Sequence, residues 1–91
     1  MEKTLVILDL TLRGGYTNVP NVVLAAPGLS LEAKGLYITL LMSAQKNGFF
    51  PGRQRLTELT ECSKKTIDML VRELEQKGYF PIPASVSEVR S

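Results

Sequence analysis

Between Arg53 and Gly78 the order of apolar, capping and helix-stopping residues leaves little choice of local structure. Ile67, Leu70, Val71 and Leu74 recur at three- and four-residue steps, which puts them on one side of a helix. Ser63 stands just ahead of that run, where its hydroxyl can accept from the free backbone donors of the first turn. Gly78 follows the run, and glycine tolerates the left-handed conformation that ends many helices. Upstream, the stretch from Arg53 to Thr60 offers Leu56 and Leu59 as its buried pair. Cys62 is small and apolar enough to plug the corner between the two segments. The spacing predicts two short helices joined by a tight turn, the second with a polar start.

The remaining sequence is expected to support that pair. Residues 3–12, KTLVILDLTL, place Val6, Leu8, Leu10 and Leu12 on one face and Leu5, Ile7, Asp9 and Thr11 on the other. That pattern predicts a strand, apolar on both sides at its start. Gly14-Gly15 punctuate it and YTNVPNVVLAA resumes an extended pattern, so a hairpin about residues 13–16 fits, with Pro20 at an edge or bulge. The strand pairs either with residues 16–24 or with its copy in a second subunit, which makes Leu5, Val6, Ile7 and Leu8 candidate dimerisation residues. Pro27-Gly28-Leu29-Ser30 then turn into a helix over residues 30–46, with Ser30 as cap and Glu32 complementing the dipole. Ala33, Leu36, Tyr37, Leu40, Leu41 and Ala44 form an apolar stripe that makes this helix the main wall of the core rather than a partner-binding face. Gly35 within it marks a point where another element approaches closely, and Phe49-Phe50 are expected to seal the junction to the next helix. Beyond Gly78, Tyr79-Phe80 start a strand that Pro81 and Pro83 interrupt, and residues 79–91 read as a short wing strand with a polar tail.

Composition narrows the function. A chain of 91 residues supports one domain with a single modest core. It has one cysteine and no histidine, so neither an intramolecular disulfide nor a Cys/His metal set can form. The usual general base near neutral pH is missing as well. No nucleophile–base pair or phosphate loop is evident, so no enzyme activity and no cofactor are expected. No apolar run approaches the roughly 20 residues that cross a bilayer, and the N-terminus lacks the marks of a signal peptide. A reducing, cytoplasmic setting without membrane contact is the expectation. Net charge is only +2. Residues 53–77 carry six basic side chains (Arg53, Arg55, Lys64, Lys65, Arg72, Lys77) against five acidic ones (Glu58, Glu61, Asp68, Glu73, Glu75). Bulk charge therefore makes no case for nucleic acid, and placement has to decide.

The order of helix, FFP link, helix, turn, helix and GYF resembles the winged helix-turn-helix family of DNA-binding domains. LTELTECSKKTI is similar to the family pattern in which Leu56 and Thr57 open the first helix, Cys62 plugs the turn and Ser63, Thr66 and Ile67 begin the reading helix. LVRELEQKGYF resembles the usual ending that leads into a wing, and NGFFPGRQRL the short strand that pairs with it. The resemblance implies an α+β, mostly helical fold with an N-terminal strand or hairpin and a short or absent wing. The turn position that is often glycine in the family is Glu61, which requires either a left-handed glutamate or a modified turn. A narrower likeness lies upstream. YTNVPNVVL followed by LSLEAKGLYITLL resembles the opening of plasmid and phage replication proteins, the RepA_N-type initiators and the amino-terminal domains of DnaD-type replisome organisers.

On this reading residues 63–77 form the recognition helix. Its outer side carries Lys64, Lys65, Asp68, Met69, Arg72 and Gln76, with Ser63 and Thr66 at the leading end that enters a major groove. Ser63 and Thr66 are expected to bond phosphate or base edges, Lys64 and Lys65 to neutralise phosphates, and Arg72 to take a phosphate or a guanine edge. Arg53, Gln54 and Arg55 open the preceding helix, whose start meets the sugar-phosphate backbone. Asp68 opposes phosphate unless it accepts from cytosine or pairs with Lys64 or Arg72. The expected partner is double-stranded DNA, bound by a homodimer with two half-sites about one helical turn apart. A protein partner in a replication or regulatory complex is a further expectation. The rival reading is a protein-interaction module that has kept the fold and lost the DNA.

Overall fold

A computed structural model describes residues 14–87. Their elements are α1 (Asn21–Leu24), α2 (Leu31–Asn47), α3 (Arg53–Thr60), α4 (Lys64–Gln76) and α5 (Ala84–Ser87). Among the described residues there is no strand, so the α+β expectation is corrected to an all-helical fold. The expected N-terminal strand over residues 3–12, with Leu5, Val6, Ile7 and Leu8 as dimerisation residues, lies outside the described residues. Its supposed hairpin partner is no strand, because Asn21–Leu24 close into a helical turn with the Ala25 N–H bonded to the Asn21 carbonyl at 2.9 Å. Val23 drops into the core from that turn, together with Ala26 and Leu29. Burial of one valine outweighs the β preference of the VVL run.

Helix α2 is the wall of the core. Ser30 caps it by accepting from the Ala33 N–H at 3.1 Å, and Gly48 ends it with a left-handed φ of 83°. Ala33, Leu36, Tyr37, Leu40, Leu41 and Ala44 are all buried, in line with the apolar stripe. Opposite them α4 contributes Ile67 and Leu74, while Leu70 and Val71 pack at the margin, and α3 contributes Leu56. Leu59 is only half-buried, so the expected pair in α3 is one residue. Among the described residues no heavy atom outside its own helix backbone lies within 4 Å of where a Gly35 Cβ would stand, so none of the described elements approaches it closely. Phe49 and Phe50 do not seal a junction either, being 66% and 39% exposed.

The end of α4 explains the missing wing. Gly78 takes a φ of 84°, its N–H bonds to the Glu75 carbonyl at 3.1 Å, and the Tyr79 N–H reaches back to Leu74 at 2.8 Å. This double closure turns the chain sharply out of the helix. Pro81 and Pro83 then lack the donors a hairpin needs. Instead Ile82 is buried, and α5 lies along α2 with Val86 against the core. Gln45 ties these ends together: its amide nitrogen donates to the carbonyls of Asn18 at 2.9 Å and Val86 at 3.3 Å, and its oxygen accepts from the Asn18 N–H at 3.1 Å.

Candidate nucleic-acid interface

Helices α3 and α4 meet at a turn of three residues, Glu61-Cys62-Ser63. Glu61 supplies the left-handed corner with a φ of 59° and donates its N–H to the Thr57 carbonyl at 2.8 Å. A non-glycine residue in this conformation is strained, and the packing on either side holds it there. Cys62 is half-buried behind the corner, against the core, where it plugs the turn. Thr60 Oγ1 accepts from the Cys62 N–H at 3.2 Å and donates to Leu56 at 2.7 Å, so the last turn of α3 and the corner share one bonded network.

Ser63 begins α4 as its cap. Its Oγ accepts from the Thr66 N–H at 3.1 Å and donates to Thr66 Oγ1 at 3.0 Å. That leaves the Thr66 hydroxyl proton as the free donor of the pair. The N–H groups of Lys64 and Lys65 have no acceptor among the described residues, as expected of the first turn of a helix. Unsatisfied donors, the positive end of the helix dipole and two lysine side chains thus coincide at one tip.

Every residue expected to meet DNA lies on the outside of this unit. Arg53, Gln54, Arg55, Ser63, Lys64, Lys65, Met69 and Arg72 are exposed, and Thr66 and Asp68 are half-exposed. Their electrostatic states differ. Arg53 Nε sits 3.1 Å from Asp68 Oδ1, so the carboxylate is paired across the two helices, and not with Lys64 or Arg72. Arg55 meets Glu58 at 3.2 Å on its own helix. Among the described residues Lys64, Lys65 and Arg72 have no carboxylate partner. The cationic surface is concentrated on α4, and the start of α3 is largely neutralised.

The residue that sequence reasoning missed is Glu73. Its carboxylate accepts from the Ser30 N–H at 2.7 Å and from the Ser30 hydroxyl at 2.8 Å. The backbone donor and then the hydroxyl hold Glu73 below the usual carboxylate pKa range, with Lys77 adding a smaller pull. One side chain of α4 therefore closes the start of α2 and pins the angle between the two helices. Its partner lies 43 residues away in the chain, beyond the reach of any local motif.

A family model described as a helix-turn-helix domain matches residues 28–80. The chain therefore belongs to the helix-turn-helix domain family, whose two-helix unit is a DNA-binding module. The matched span runs from the turn before α2 to the residues after α4 and so contains the two-helix unit, α3 and α4, together with the supporting helix α2. The match is to the general family and says nothing of replication. No curated protein and no solved structure matches the chain. No helix among the described residues is long and apolar enough to cross a membrane.

Proposed function

We propose that this protein is a sequence-specific reader of double-stranded DNA that places the N-terminal half of α4 in the major groove. The observation that supports it most is the start of α4, where Lys64 and Lys65 stand exposed beside open backbone donors and, like the exposed Arg72 about two turns further along, have no carboxylate partner among the described residues. Lysines and donors at such a tip suit phosphates, as does the Arg72 guanidinium further along, and the Thr66 hydroxyl and Met69 are spaced to face base edges. The protein acts by occupying a site, in the cytoplasm, without catalysis or cofactor. Regulation of transcription or initiation of replication in a plasmid, phage or other mobile element is the setting that the residues 16–41 favour by their resemblance to replication proteins.

The test is binding to fluorescent duplexes over a range of salt, with selection from a random-sequence pool. Three phosphate contacts per chain give a slope of about −2.7 in log affinity against log salt, and each of Lys64→Ala, Lys65→Ala and Arg72→Ala lowers it by about 0.9. A pool that enriches no motif rules out sequence-specific reading. Absence of binding by the parent at low salt favours the rival protein-interaction module, which the pairing of Arg53 and Arg55 with acidic partners also suits.

A further inference from the structure

Helix α2 is apolar on the side that packs against α4, and it is apolar again on the side that faces away. Leu31, Gly35, Ile38 and Met42 follow one another at three- and four-residue steps along that outer side. Leu31 is 81% exposed, Met42 is 36% exposed and Gly35 opens on free space, while Ile38 is half-exposed. Two hollows flank the Met42 end, one beside Tyr16 and one beside Phe49, and both share Met42 and Lys46. Tyr16 and Phe49 are themselves 79% and 66% exposed. A surface helix ordinarily turns polar residues outward, and a continuous exposed apolar face marks an interaction site.

We propose that this face pairs with the same face of a second copy of the chain, the two α2 helices running antiparallel about a dyad between Ile38 and Thr39. The charges select that occupant. Glu32 stands near the start of α2 and Lys46 near its end, on the same flank as Thr39. Antiparallel pairing about the dyad brings each Glu32 beside the partner's Lys46, twice over by symmetry. The same register sets each Met42 over the partner's Gly35, and the missing side chain there accepts the methionine. Glycine inside an exposed helix costs stability, and nothing among the described residues requires it at this position. A single helical face with two aromatic edges is a small interface, so the dimer is a weak one with a dissociation constant in roughly the micromolar range. The proposal does not depend on DNA binding.

Sedimentation of the full chain from about 1 to 500 µM, without DNA, tests it. The parent is expected to pass from monomer to dimer across that range. Glu32→Lys and Lys46→Glu should each weaken the dimer about tenfold, since each turns two attractive pairs into repulsive ones, and the double swap should restore it. Circular dichroism identifies any variant that has lost its fold. In a Cys62→Ser background, Thr39→Cys should cross-link to its own copy under mild oxidation at concentrations where the parent dimerises. A parent that stays monomeric to the top of the range overturns the proposal. So does a dimer that the charge swaps leave untouched and that Thr39→Cys fails to lock, which would mean that another surface, or the residues before Gly14, makes the contact.

Discussion

Asp68→Asn isolates the electrostatic logic of the reading surface, because among the described residues Asp68 is the one acidic side chain paired across α3 and α4. It holds Arg53 at 3.1 Å, with the two side chains 67% (Arg53) and 38% (Asp68) exposed. An exposed pair of this kind contributes only about 0.2–1 kcal/mol to folding, so the variant should fold normally. Its effect falls on DNA. Releasing Arg53 raises the number of unpaired cations at the interface from three (Lys64, Lys65, Arg72) to four. The slope of log affinity against log salt then steepens from about −2.7 to about −3.6. Between about 50 and 200 mM salt the parent should lose roughly 40-fold in affinity and the variant roughly 150-fold. Fluorescence polarisation on one duplex, titrated at several salt concentrations, reads this directly. Equal slopes would show that Arg53 stays away from phosphate even when freed. Weaker binding by the variant at low salt would refute the reasoning outright, because it would make Asp68 an acceptor for a base edge.

Three further outcomes follow from the local geometry. Removing the cap of α4 with Ser63→Ala should cost about 1 kcal/mol in denaturant unfolding and should weaken DNA binding as the first turn frays. Glu61→Gly should raise stability by about 0.5–1 kcal/mol, since glycine carries no penalty at the φ of 59° that glutamate now occupies; a loss of stability would mean that the Glu61 side chain makes up for the strain. Glu73 has a lowered pKa, so its contribution is present above the ordinary carboxylate range and disappears as pH falls through its folded value. Melting temperature should drop with acid across that window in the parent, and Glu73→Gln should flatten this part of the profile.

Much of the fold was legible because it is written in local chemistry. Ser30 and Ser63 announce two helix starts and Gly48 and Gly78 two helix ends, each through a bond or dihedral that involves only near neighbours. The apolar stripe of α2 was readable for the same reason, as was Cys62 at the corner. What escaped depends on distant partners. The pairs Glu73–Ser30 and Gln45–Asn18 join residues 43 and 27 positions apart, and no spacing rule connects them. Arg53–Asp68 is a choice among several cations near one carboxylate, and the angle between α3 and α4 decides it. The extended reading of residues 16–24 failed where β-branched residues suited either state: Val22 and Val23 join a helical turn because Val23 finds a core to enter. The short wing strand expected after Gly78 does not form among the described residues, because Ile82 and Val86 find burial in the core and the flanking prolines withhold backbone donors, which leaves the absent-wing alternative. At the interface the outward set of α4 was legible from helical period alone, whereas the neutralised state of the α3 start was not.

Placement of the α4 tip in DNA is tested most directly by mapping backbone amide shifts of the isotope-labelled protein as a duplex from the selected pool is added. The largest changes are expected from Ser63 to Arg72, with smaller ones from Arg53 to Arg55, and α5 should stay still. Shifts confined to the outer face of α2, with Lys64 and Lys65 unmoved at saturation, would contradict it.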